Sequence, residues 1–359
     1  MTRPRSSLIS LSDTPWYHVV SRCVRRAYLC GEDYFTGKNF DHRRGWIEIR
    51  IRELASVFAI DVAAYAVMSN HYHIVVRIDA DRAVGWDDNE VLARWTRLFT
   101  GPAVVQKYRS DARDSMSDGE LSILGEFVSV YRERLQDLSW FMRVLNETIA
   151  RMANAEDDCT GRFWEGRFKS QALLDDQALL AAMAYVDLNP IRAGIAETPE
   201  DSGHTSIKLR IDSLHSVATD NASLPLDKAG ATIPGTVDRL RPESELQSLP
   251  EAPLMPFEPA VILGAAVPFA FDDYLELVDM VGRVIHPAKR GSIPYNTPAI
   301  LTRLAIDAES FIKYTDRFLK EFGCAVGVPQ KLVEFAAHRQ GRYLRGIKIA
   351  RAVFEKKAA

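Results

Sequence analysis

Cysteine is scarce in this chain: Cys23, Cys30, Cys159 and Cys324 are the four it has. They are too few and too scattered for a disulfide framework, and no pair has the short spacing of a zinc knuckle, so reduced, partly buried thiols are expected. Long apolar runs are missing as well. No stretch approaches the ~20 apolar residues of a membrane span. Residues 1 to 11 carry Arg3 and Arg5 but no apolar signal-peptide core, so a cytoplasmic chain without a membrane partner is expected. Also lacking is any excess of positive charge: 45 Lys and Arg face 48 Asp and Glu, a net charge of -3. Taken whole, that balance speaks against a protein that coats nucleic acid, because phosphate binding is carried by clustered Lys and Arg. What is present is ordinary for a globular protein: 359 residues, 47% hydrophobic and 26% charged, enough for a substantial core and two domains.

The charge is unevenly spread. Residues 1–200 hold 25 basic and 29 acidic side chains, 201–300 hold 8 and 13, and 301–359 hold 12 and 6. The basic excess therefore sits at the end. Prolines 225, 234, 242, 250, 253, 256 and 259 crowd the middle among Ser, Asp, Ala and Glu, a composition that favours irregular chain. This predicts a first domain over 1–209, a proline-rich linker over 210–262 and a helical C-terminal domain over 263–359.

Within the first domain, 16–23 (WYHVVSRC) is aromatic and β-branched and reads as a strand. Apolar residues recur at helical spacing from Trp46 to Ile60. Two further strands, 62–68 and 71–78, are separated only by Ser69 and Asn70, which predicts a tight hairpin. Helices are expected over 89–99 and 138–154, and another from Asp175-Asp176 to Pro190, while 111–120 reads as a polar surface loop. The order gives an α+β fold with helices on one face of an antiparallel sheet.

Three segments carry chemistry. His71 and His73 lie at i and i+2 of a strand, so both imidazoles project to one face at a separation that one divalent ion can bridge. Taken alone, such a pair is more often two polar residues on a solvated face, but the run Ile74-Val75-Val76 makes this strand central and rigid. In 179–192 (LLAAMAYVDLNPIR), Tyr185 and Asn189 are one helical turn apart on an alanine-rich stripe, so a phenol and an amide address one point; a Tyr packed at a helix interface fits the segment equally. In 160–170 (TGRFWEGRFKS), Arg162, Arg167 and Lys169 alternate with aromatics, as in sites that hold phosphates and stack unpaired bases, or as in a loop that plugs a core.

Together, Met68-Ser69-Asn70-His71-Tyr72-His73-Ile74, then residues 162–170 (RFWEGRFKS), then residues 185–194 (YVDLNPIRAG) resemble the single-tyrosine HUH transposases, and among them the REP-associated tyrosine transposases, over residues 14–207. The resemblance implies a ferredoxin-like palm in which His71 and His73 bind Mg²⁺ or Mn²⁺, Tyr185 is the nucleophile, and Asn189 is the third ligand. It also makes Arg162, Trp164, Arg167, Lys169 and Arg192 the expected contacts to single-stranded or hairpin DNA. The implied reaction is attack by Tyr185 on a phosphodiester, giving a 5′-phosphotyrosyl link and a free 3′-OH, by a monomer or homodimer.

A rival reading is a domesticated hairpin-DNA binder without catalysis; a zinc hydrolase would need a third His or a well-placed carboxylate base. In the tail, helices are expected over 271–285 and 300–322. Arg339, Arg342, Arg345, Lys348 and Arg351 recur every three residues, winding around a helix that would follow a DNA backbone or be merely solvated. An enzyme that takes one short strand needs local positive charge, which the net balance leaves room for.

Overall fold

The computed structural model describes residues 8–24, 29–32, 37–215, 238–246, 249–259, 266–285, 321–339 and 345–355. Five strands form one sheet: β1 (Trp16–Arg22), β2 (Ile60–Val67), β3 (His71–Ile78), β4 (Lys169–Leu173) and β5 (Ala325–Val326). They lie side by side in the order β2-β3-β1-β4-β5. The first four pair antiparallel with one another, and among the described residues one helix lies between β1 and β2 and several between β3 and β4, a split β-α-β layout. β5 pairs parallel with β4 through Ala172↔Ala325 and Leu173↔Val326, so the sheet is mixed and not wholly antiparallel. The central pair, β1 and β3, carries the densest β-branched runs, at 19–20 and 74–76. The hairpin between β2 and β3 turns at Ser69-Asn70 as expected, closed by the Met68 amide on the His71 carbonyl at 2.8 Å.

Helices cover both faces of the sheet, which corrects the expectation of one. Tyr72, Ile74 and Val76 point to one side and His73 and Val75 to the other, and none is more than 1% exposed. A strand buried on both sides needs cover on both. The helices Arg43–Val57 and Leu138–Glu156 lie on the Tyr72 side, where Glu48 accepts from the Tyr65 hydroxyl and Asn146 from the Tyr72 hydroxyl, each at 2.6 Å. The helix Asp176–Asp187 lies on the histidine side and buries ten of its twelve residues. Its alanines 178, 181 and 182, all fully buried, let the helix press close to the sheet.

The surface loop expected over 111–120 ends early. Ser117 and Glu120 form a reciprocal capping box that starts an 18-residue helix, Asp118–Leu135. The proline-rich stretch expected as a linker is packed against the first domain over its described second half. The Asp238 carboxylate accepts from the Tyr131 hydroxyl at 2.9 Å, the Ala252 amide donates to the Arg52 carbonyl at 3.0 Å, and the Met255 amide to the Val62 carbonyl at 2.9 Å. Extended, proline-bearing chain leaves amides at intervals without partners of its own, and here carbonyls of the first domain accept two of them.

The C-terminal segment also reaches the sheet. The Asp175 carboxylate caps the Asp176–Asp187 helix through the Ala178 amide and accepts from the Val328 amide, both at 2.8 Å. Close approach there requires glycine at 327, since a Cβ would lie 2.9 Å from the Asp175 carboxylate. The expected helix over 271–285 is present, and that over 300–322 falls outside the described residues except for 321–322. The basic row does not wind around one helix: Arg339 follows the end of the Pro329–His338 helix, and Gly346, at φ +91°, begins a separate helix, Ile347–Phe354. Arg339 is ion-paired to Asp13, not presented outward to a DNA backbone. Among the described residues no helix is long and apolar enough to cross a membrane.

Asp187 ties these layers together. Its carboxylate is fully buried and accepts from the Ser206 and Tyr274 hydroxyls and from the Ile207 amide at 3.1 Å. Burial pushes its carboxyl up to about 6, from an ordinary 3.8. The group therefore contributes its full stability below the ordinary value, and that contribution is lost as pH rises through about 6. Asp187→Asn, uncharged and of similar shape, is expected to flatten the stability profile measured by urea unfolding from about pH 4 to about pH 7. An unchanged profile would assign the slope to another group.

Candidate active site

The antiparallel register builds one face from three strands. Val20 of β1 is in register with His73 of β3 and with Lys169 of β4, so His73 and Lys169 point to the same side. One step along, His18 aligns with Val75 and Gln171, and at the other end Arg22 aligns with His71. That face thus carries His18, Gln171, His71, His73, Arg22 and Lys169, and the Asp176–Asp187 helix lies over it.

The helix brings Tyr185 to the histidines. Its ring meets the His73 ring edge-on at 5.5 Å between centroids and the His18 ring at 5.8 Å. The His71 and His73 rings are 4.9 Å apart. Just past the helix, in the short helical turn Asn189–Arg192, the Asn189 amide nitrogen lies 3.5 Å from His73 Nε2. The Arg192 guanidinium carbon is 5.3 Å from the centre of the Tyr185 ring. Two segments more than a hundred residues apart, at 71–73 and 185–192, thus converge on one imidazole.

All three histidines are held neutral. Burial pulls His18 and His71 down to about 4, the latter helped by the charge of Arg22, and burial with the neighbouring charges of His18 and His71 takes His73 well below its usual range. Neutral imidazoles keep a lone pair at pH 7. His71 Nδ1 lies 2.6 Å from the Asn70 side-chain oxygen, which can accept a proton carried on Nδ1. The Ser69-Asn70 turn that supplies this oxygen is gripped by the Cys30 and Cys23 amides, each donating at 3.0 Å.

The expected metal set can be tested by its donors. Two imidazoles with an amide beside one of them are borderline donors, and they would fill only part of the shell of a divalent ion, leaving the other positions to water or substrate oxygens. Among the described residues no three His, Cys, Asp or Glu side chains are grouped as a metal centre, so any ion here depends on the amide and on solvent or substrate oxygens. A closed structural zinc site is not the reading this donor set favours.

The expected DNA contacts divide. Lys169 is exposed on the histidine face and Arg192 stands beside Tyr185. Arg167 is exposed on the loop before β4. Arg162 braces its own loop, Nε donating to the Trp164 carbonyl at 2.8 Å and Nη2 to the Glu165 carbonyl. Trp164 is a correction: it is 9% exposed, its indole N–H donates to the Asn146 carbonyl at 2.7 Å, and its ring meets Tyr72 edge-on. That is the face opposite the histidines, so Trp164 plugs the core and offers no stacking platform. Sequence reasoning missed His18, Gln171 and Arg22. A lone histidine inside the β-branched run of β1 was the available signal, but only the register places it beside His73.

No protein-family profile matches the chain, and neither does any curated protein. One solved structure does, described as a REP-associated tyrosine transposase bound to a REP hairpin, at 13% identity over 67% of this chain and 100% of that one. The TM-score is 0.34, too low to carry an argument about this site.

Proposed function

We propose that this protein nicks and rejoins single-stranded DNA through a 5′-phosphotyrosyl link at Tyr185, at palindromic hairpins of the kind that REP-associated tyrosine transposases bind. In this reading the four antiparallel strands are the ferredoxin-like palm of the HUH enzymes, and His71, His73 and Asn189 hold Mg²⁺ or Mn²⁺. The observation that carries it is the convergence of a neutral histidine pair, a phenol and an amide on one sheet face, with Arg22, Lys169 and Arg192 beside them.

The bound ion would polarise the scissile phosphate and offset charge in the transition state. The phenol oxygen of Tyr185 attacks phosphorus and its proton passes to water. The bond from phosphorus to the 3′ oxygen breaks, and that oxygen leaves as a hydroxyl after taking a proton from water. The product keeps the energy of the phosphodiester in the tyrosyl link, so a 3′-OH can reverse the step and join strands without ATP. Arg192 places positive charge beside the phenol and the incoming phosphate, while Arg22 on β1 and Lys169 on β4, both to one side of His71 and His73, hold phosphates along the strand. A hairpin binder without chemistry has no use for a phenol set edge-on against two buried imidazoles.

The direct test incubates the protein with hairpin-bearing single strands and Mn²⁺ and reads a covalent adduct on a denaturing gel. No adduct on any hairpin substrate would leave the binder standing. Separately, Arg22→Ala and Lys169→Ala are each expected to weaken single-strand binding about 3- to 10-fold and to flatten the slope of log affinity against log salt by about 0.7. Fluorescence anisotropy across a salt series measures both quantities. Unchanged slopes would place the strand on another surface.

A further inference from the structure

The partners around His73 leave one arrangement of protons. The Gly323 carbonyl can only accept, and the Gln171 side-chain nitrogen lies 2.6 Å from it. The amide orientation is thereby fixed, and Gln171 Oε1 faces His18, whose Nδ1 is 3.2 Å away. His18 Nδ1 must carry the proton of that contact. The ring is fully buried with no carboxylate beside it among the described residues, so it carries that one proton and its Nε2 is a lone pair. That lone pair lies 3.0 Å from His73 Nδ1, which must in turn be an N–H. His73 is left with a bare Nε2 on the side where Asn189 sits.

We propose that this relay, from the Gly323 carbonyl through Gln171 and His18, fixes His73 in its Nδ1–H tautomer and so turns Nε2 toward Tyr185 and Asn189 as a ligand. The ligand role rests on the nicking function proposed above; the tautomer does not. His18 and Gln171 are positioning residues, since they act through His73. A free imidazole in water favours the other tautomer, with the proton on Nε2, where it would block a metal. The relay opposes that preference with hydrogen bonds formed in a dry interior, where an unmatched donor is expensive.

Its outer end belongs to the C-terminal segment. The Cys324 carbonyl accepts from the Ala172 amide at 2.9 Å and the Val326 carbonyl from the Leu174 amide at 3.0 Å, so β5 sets the Gly323 carbonyl against Gln171. Gly323 itself stands at φ +79°, a conformation that side chains disfavour, with a Cβ position only 3.3 Å from the Arg345 side chain. This gives the C-terminal region a part in the site that does not require it to touch DNA.

The test uses the full chain, ¹⁵N-labelled at histidine, free of metal and DNA. Long-range ¹H–¹⁵N correlation reports which nitrogen of His73 is protonated, and Mn²⁺ titration followed by electron paramagnetic resonance reports affinity. In the wild type, His73 is expected as the Nδ1–H form. His18→Phe fills the space but supplies no acceptor, so His73 is expected to shift to the Nε2–H form and Mn²⁺ affinity to fall about 10- to 100-fold. His18→Gln, whose amide oxygen reaches near the former Nε2 position, is expected to restore both readouts in part. A wild-type His73 protonated on Nε2 would overturn the relay without any variant. So would a folded His18→Phe protein with unchanged tautomer and affinity. A wild type that shows the Nδ1–H form but binds no Mn²⁺ upholds the relay and removes the nicking function.

Discussion

Tyr185→Phe is expected to abolish the covalent protein–DNA adduct, by about 10⁴-fold or more, while hairpin binding changes by less than about threefold. The substitution removes a single oxygen. The ring stays where it is, edge-on to His18 and His73 and beside Arg192, so the fold and the cationic surface are preserved. Two other described tyrosines near the sheet are poorly placed to take over. Tyr72 points to the opposite face and gives its hydroxyl to Asn146, and Tyr17, with its hydroxyl bonded to Ser10, is pushed by burial up to about 12. Adduct yield on a denaturing gel, paired with binding by anisotropy, separates chemistry from recognition. An adduct of normal yield in Tyr185→Phe would move the nucleophile elsewhere.

His73→Ala is expected to have the next largest effect, lowering Mn²⁺ affinity and adduct formation by well over about 100-fold, more than the loss of an outer partner. His73 is 1% exposed and both of its ring nitrogens are engaged, Nδ1 with His18 and Nε2 near Asn189. Its removal also leaves the buried His18 Nε2 without a donor, a cost of roughly 1–3 kcal/mol in stability, so folding must be checked by thermal unfolding alongside activity. Chelation of the wild type should reproduce the inactive state, and added Mn²⁺ should restore the wild type but not the variant. His71→Ala, at the more exposed end of the strand, should show a smaller version of the same loss. Full activity of His73→Ala in the presence of chelator would rule out the metal site.

Much of this site can be read from sequence because its parts obey local rules. The pair His71 and His73 follows from strand alternation, the Ser69-Asn70 turn from hairpin chemistry, and the alignment of Tyr185 with Asn189 from helical spacing. What could not be read depends on register and on distant chain. His18 becomes a partner of His73 only because β1 and β3 pair with Val20 opposite His73. Trp164 looked like a stacking residue because aromatics and cations alternate around it, yet its indole fills the space beside Tyr72, which local sequence does not specify. β4 was hidden in the same segment, since Lys169 and Ser170 are poor strand formers and pair with β1 through tertiary contacts. β5 is two residues long and offers no pattern at all.

The parallel pairing of β5 with β4 also bears on when the proposed site becomes competent. About 150 residues separate the two strands, a long loop to close, and sheet contacts of that span form late in folding. A nascent chain that has emerged only as far as residue 300 holds His71, His73, Tyr185 and Asn189 but not the Gly323 carbonyl. If the chain folds from its N-terminus as it is made, the histidine face of the sheet is laid down early and the proposed relay to His73 is completed last. Under the proposed nicking function, synthesis itself would then act as a safety catch, keeping a protein still on the ribosome from cutting single strands near it.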